Sequence, residues 1–128
     1  MKEITIDNLK YNIDCNALTY VKYMSFFQTG ILKDLDVIRN YLIKQSIIAK
    51  QLESEHLEEA EMLNQISNIM RDDMDEFITI LTRITWILIY TADNKIDDYE
   101  TWLKNIKRIK LDEKWIAEVT EYAVKCFR

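Results

Sequence analysis

A mainly α-helical domain of five or six helices, opened by an N-terminal two-stranded β-hairpin, is the fold this sequence predicts. Three observations predict it. The chain has one glycine (Gly30) and no proline in 128 residues, against average usage of about 7% and 5%. Those residues punctuate the tight turns that a sandwich or barrel needs in quantity. Apolar residues recur at three- and four-residue spacing from Leu18 to Ile43 and again from Met62 to Met70, the period of an amphipathic helix. The stretch Phe77 to Ala92 is apolar nearly all round, which places it in the middle of a bundle or in an interface. The expected organisation is a single domain over 1–128: hairpin 1–14, helices 15–71 with an acidic connector at about 50–61, and a helical C-terminal part at 74–128.

The elements follow in order. Glu3 to Ile6 and Leu9 to Ile13 alternate polar and apolar around Asp7-Asn8, a pair able to take positive φ in a type I′ turn. Ile4, Ile6, Leu9, Tyr11 and Ile13 would share one face. An isolated hairpin is only marginally stable, so that face must lie on the helices. Asp14 or Asn16 can cap a first helix over roughly Cys15 to Gln28, with Leu18, Val21, Met24 or Ser25, and Phe26 or Phe27 as its apolar stripe. Gly30 stands where a helix C′ residue is expected in the left-handed region. A second helix begins near Ile31, with Leu32, Leu35, Ile38 or Arg39, Leu42 and Ile43 as its stripe. Lys50 to Glu61 holds five glutamates and the only histidine and reads as a solvated face or connector. Its sharper reading is an acidic docking surface. Met62, Leu63, Ile66, Ile69 and Met70 restore helical spacing. Asp72, Asp73, Asp75 and Glu76 then suit the positive end of the next helix dipole. Asp97 with Glu100 makes a capping box for a further helix, and Asp112 caps the last, with Leu111 and Ile116 as a hydrophobic staple.

Composition and motif spacing exclude several functions. Net charge is −5, and the best basic cluster (Lys104, Lys107, Arg108, Lys110) is flanked by Asp97, Asp98, Glu100, Asp112 and Glu113, so no nucleic-acid partner is expected. The run from Asp93 fails as a calcium loop: Asp98 sits where glycine is needed and Lys104 where a bidentate glutamate belongs. His56 has no second histidine or nearby cysteine, so no metal is expected. The Glu58-Glu59 pair reads as a wet face rather than catalytic carboxylates. No serine or cysteine has a recognisable base partner, and the chain reads as a non-enzyme with no cofactor. Phe77 to Tyr90 is too short to span a bilayer and carries Arg83 and three threonines, so no membrane partner is expected. The polar, alternating N-terminus lacks the apolar core of a signal peptide. In such an intracellular chain, Cys15 and Cys126 read as buried thiols rather than a disulfide. Of the tryptophans Trp86, Trp102 and Trp115, at least two should pack in the core. Trp86, Tyr90 and Trp102 are the candidate partner contacts.

Three passages carry a family resemblance. The N-terminal EITIDNLKYNIDCNALTYVKY is a short hairpin before a first helix. TGILKDLD, Thr29 to Asp36, runs from a glycine to aspartates. TWILIYTADNKIDDYETWLKNI joins a tryptophan-bearing helix to an acidic turn and an aromatic-led helix. In this order they resemble the tail assembly chaperones of long-tailed phages and prophages of low-GC bacteria. Gln45 to Asp73 has no counterpart in the resemblance. What it implies is a non-enzymatic protein that binds the tape-measure protein, helps recruit tail-tube subunits, and self-associates to coat its long partner. It would act in the host cytoplasm and be absent from the mature virion. A programmed frameshift makes a longer form in many relatives. The alternative is a small acidic phage- or prophage-encoded regulatory or inhibitor protein acting by protein–protein contact. Acids gathered at helix starts and in one connector do not form the spaced array that nucleic-acid mimicry needs.

Overall fold

Two consecutive residues with positive φ, Asp7 (50°) and Asn8 (66°), reverse the chain between β1 (Lys2–Ile6) and β2 (Leu9–Ile13). This is the backbone of a type I′ turn. The computed structural model describes residues 1–55 and 58–127. The strands are antiparallel, with Ile4 opposite Tyr11 and Ile6 opposite Leu9. Ile4, Ile6 and Ile13 are buried, Tyr11 is half-buried and Leu9 is exposed. The predicted face thus covers the helices except at its turn end, where Leu9 overhangs them. The Asp14 N–H donates to Leu88 O at 3.1 Å, and the Lys107 N–H donates to an Asp7 carboxylate oxygen at 3.1 Å, tying both ends of the hairpin to the helical body.

The helices are α1 (Ala17–Phe27), α2 (Ile31–Glu53), α3 (Glu59–Ile69), α4 (Arg71–Ala92), α5 (Tyr99–Lys104) and α6 (Lys114–Cys126). Asn16 caps α1: its Oδ1 accepts from the Leu18 N–H at 2.9 Å, and Thr19 Oγ1 accepts from the Asn16 N–H at 3.1 Å. The buried side of α1 is Thr19 and Tyr23, while Leu18, Val21 and Met24 of the expected stripe face solvent. The helix is closed by Gln28 (φ 59°), not by Gly30, which is extended (φ −83°, ψ 139°) and is the N-cap residue of α2. The left-handed residue comes two positions earlier than expected because the Gln28 N–H reaches back to Met24 O.

α2 is longer than expected and absorbs the start of the acidic segment. Its inward stripe runs through Ile31, Leu35, Ile38, Tyr41 and Leu52, while Leu32, Leu42 and Ile43 face solvent. The glutamates Glu53, Glu55, Glu58, Glu59 and Glu61 are all exposed. His56 and Leu57 of that segment lie outside the described residues, as does the side chain of Leu63. α4 is the centre. It packs against β2 and every other helix, and it buries Phe77, Ile80, Leu81, Ile84, Trp86, Ile87, Leu88 and Ile89. Its buried Thr85 returns its hydroxyl to Leu81 O at 2.7 Å, so the helix satisfies its own polar side chain.

Two capping expectations fail by one residue. α5 is capped by Asp98, whose carboxylate accepts from the Thr101 N–H (3.3 Å) and hydroxyl (2.6 Å). Asp97 instead offers its carbonyl to the Trp86 indole N–H at 2.9 Å. A buried indole needs an acceptor, and meeting that need moves the helix start. α6 begins after Glu113, with no side-chain cap. Asp112 is exposed, while the Glu113 carboxylate accepts from Trp115 Nε1 at 2.6 Å. The cysteine expectation also fails: Cys15 and Cys126 form a disulfide, with Cα atoms 6.5 Å apart across 111 residues of sequence. Distance in sequence hid that the start of α1 and the end of α6 meet. Among the described residues, no helix is long and apolar enough to cross a membrane.

Loss of the α1 cap by Asn16→Ala is expected to cost about 0.5–2 kcal/mol, whereas Asp112→Ala should stay within about 0.5 kcal/mol; urea melts of both variants decide. Under oxidising conditions Cys15→Ser should lower stability by roughly 2–4 kcal/mol, and reductant should erase its difference from the wild type. Equal melts of the two proteins without reductant would rule out the cross-link.

Candidate functional site

Trp86 and Tyr90 sit one turn apart on α4, so their rings stack, with centroids 5.2 Å apart and planes 29° apart. Phe26, at the end of α1, meets both edge-on, at 5.0 Å from Trp86 and 5.4 Å from Tyr90. Phe27 stands edge-on to Tyr99, the first residue of α5, at 5.0 Å. Edge-to-face contacts of this kind favour the ring quadrupoles. Together with Ile96, these rings line an open groove of about 640 Å³ between α1, α4 and the start of α5. Phe26 is 46% exposed, while Trp86 is only 2% exposed and forms the floor.

Polar ties outside the groove hold its walls. The Thr19 and Thr91 hydroxyls meet at 2.9 Å and join α1 to α4. The Thr82 hydroxyl meets Tyr99 OH at 2.8 Å and fixes α5. The Trp86–Asp97 bond holds the turn between α4 and α5. Beneath α1, the Tyr23 hydroxyl donates to the buried carboxylate of Asp34 at 2.6 Å, setting the crossing of α1 and α2. Burial, then the bond to Asp34, pushes the Tyr23 phenol far above its usual range.

The groove is aromatic inside and charged at its rim. Arg83 lies with its guanidinium carbon 5.5 Å from the Phe27 ring centre, a cation–π distance. Asp98 and Glu100 line the other side. Asp98 is committed to its cap, and the hydrogen bonds from Thr101 hold its carboxyl below the usual carboxylate range. The lining is suited to holding an apolar or aromatic side chain, with a charged rim to orient it. Among the described residues, no group of three or more His, Cys, Asp or Glu is placed to hold a metal ion.

Of the three candidate contacts, the structure brings Trp86 and Tyr90 together and leaves Trp102 apart. Trp102, on α5 itself, is 3% exposed and packs against Tyr99 with ring centroids 6.5 Å apart. It does not line the groove, and its indole N–H has no partner among the described residues. Trp115 is buried as well. Sequence reasoning missed Phe26, Phe27 and Tyr99. Their aromatic character was the available signal, but only the packing of α1 and α5 on one side of α4 assembles them. No protein-family model, curated protein or solved structure matches this chain.

Tyr23→Phe is expected to cost about 1–3 kcal/mol at neutral pH, because it strips a buried carboxylate of a short hydrogen bond. The pH dependence has a definite sign. The folded state keeps the Tyr23 proton after the unfolded chain, titrating near pH 10, has lost it. The stability from this group is therefore complete below about pH 10 and falls as pH rises beyond it. Urea melts at neutral and alkaline pH should show a shallower alkaline decline in Tyr23→Phe than in the wild type.

Proposed function

We propose that this chain is a non-enzymatic tail assembly chaperone of a long-tailed phage or prophage, binding the tape-measure protein and helping to recruit tail-tube subunits. The observation that carries the reading is the aromatic groove: five rings from three helices converge on one concave surface, and Phe26 stands half in solvent. Aromatic anchors in a concavity are the usual energetic centre of a protein contact. A long helical partner presents side chains at helical spacing, which an open groove can take one at a time.

The sequence resemblance supplies the identity of the partner. Its C-terminal passage contains Trp86, Tyr90 and Tyr99, three of the five rings. Its glycine-to-aspartate passage contains Asp34, which fixes α1 and so places Phe26 and Phe27. On this reading the protein works in the host cytoplasm, leaves before the tail is finished, and associates with further copies of itself to coat the tape measure.

Co-expression with the tape-measure protein of the same genome, with and without the frameshifted form, is the direct test. A recovered complex and a more soluble tape measure are expected. Phe26→Ala should weaken capture by roughly tenfold or more, with the protein still folded and only a modest fall in its melt from the lost ring contacts. Raising salt from low to moderate should weaken it only modestly, since apolar anchors dominate. A tape measure no more soluble with the protein than without it, and no complex, would overturn the reading.

A further inference from the structure

α1 is apolar on both sides. Thr19 and Tyr23 are buried against the core, while Leu18, Val21 and Met24, three residues apart, are 56%, 64% and 50% exposed. Lys22, half-buried, is the only charged residue between Asn16 and Gln28. A surface helix ordinarily turns polar residues to solvent, and one that is apolar all round belongs under cover. Elsewhere on the molecule, α2, α4 and α6 enclose an open concavity of about 460 Å³. Tyr41, Leu42, Phe77, Ile116, Ala117 and Val124 supply most of its wall. The charges on its rim, Glu121 and Lys125, are paired with each other at 2.9 Å. The face and the concavity have no residue in common.

We infer that the α1 face of one copy docks into the α2–α4–α6 groove of the next. Charge selects a second copy as the occupant. Each protein carries −5, so a contact between copies must avoid setting like charges together. The α1 face carries one cation at its edge, Lys22 beside Leu18, and the groove's two charges cancel, so docking sets no like charges together. Shape agrees, because a helix with apolar residues at three-residue spacing is the form that fills a helix-lined groove. Leu18, Tyr20, Val21 and Met24 expose on the order of 400 Å², so the contact buries about 800 Å² in all, the range of weak and reversible association. Because the two surfaces differ, the contact is heterologous: every added copy presents a fresh face or groove, and the product is a ring or a growing filament, not a closed pair. This contact deepens the self-association in the reading above, and its test uses the chain alone, so its failure is separable from a failure to bind a tape measure.

The test is sedimentation of the protein and two surface variants across about a hundredfold range of concentration. Val21→Glu spoils the face and Ala117→Glu spoils the groove; both positions are exposed, so the melts should match the wild type. The wild type should grow beyond a dimer as concentration rises, and each variant alone should associate at least tenfold more weakly. Mixed in equal amounts, the variants should form a one-to-one pair and nothing larger, through the intact groove of one and the intact face of the other. A wild type that stays monomeric throughout overturns the inference. So does an Ala117→Glu variant that still dimerises, which would mean α1 meeting α1, or a mixture that stays monomeric. Should either variant fail to fold, Leu18→Glu and Thr120→Glu place the same charge on the same surfaces and carry the same comparison.

Discussion

The structure depends on covering α4. From Phe77 to Ile89 this helix turns apolar side chains in nearly every direction, and water is excluded from most of them only when the other helices and the hairpin surround it. Each large side chain so buried contributes roughly 1.5–3 kcal/mol. The remaining elements can be understood as the means of enclosure. α1, α2, α3, α5 and α6 each pack on α4, and the hairpin lays Ile4, Ile6 and Ile13 over what is left. A two-stranded hairpin would not persist alone; here β2 lies on α4 and β1 on α6.

Polar groups inside this shell are mostly satisfied, and the satisfied ones set geometry. Asp34 would be costly to bury without a donor, and the Tyr23 hydroxyl provides one across the α1–α2 turn. The Trp86 indole finds the Asp97 carbonyl and so pins the turn that leads into α5. Tyr41 OH and the Trp102 indole N–H are the exceptions, buried with no partner among the described residues. Such groups cost about 1–3 kcal/mol each, which the aromatic packing around them, including the Tyr41–Phe77 stack at 4.4 Å, has to offset.

Surface and interior follow different rules in this protein. The core is enclosed, yet the outer side of α1, the aromatic groove and the concavity beside α6 leave large apolar side chains in water. A few such residues are ordinary on any surface. Their concentration on one helix whose single charge is Lys22 and in two concave sites suits a protein whose work is reversible contact. If these surfaces dock as proposed, each contact is small and weak alone, and many together are strong.

Much of the fold was legible in the sequence because the signals for it are local. The Asp7-Asn8 turn, the Asn16 cap, the acidic start and continuous apolar face of α4, and the start of α2 at Ile31 each rest on residues within one or two turns of each other. Local signals were weakest at the ends of elements. Asp97 and Asp112 were sound cap residues by type, but the needs of the Trp86 and Trp115 indoles moved the starts of α5 and α6 by one residue. The aromatic groove was half legible: Trp86 and Tyr90 announce themselves as i, i+4 neighbours, whereas Phe26, Phe27 and Tyr99 come from helices whose approach no local pattern encodes. The Cys15–Cys126 bridge lies at the far extreme, 111 residues apart in sequence and 6.5 Å apart at Cα. Sequence by itself determined which segments are helical and which helix must be buried, because periodicity and capping act over a few residues. Tertiary structure alone decided which surfaces meet and which are left open, because that depends on how whole faces compete to cover α4.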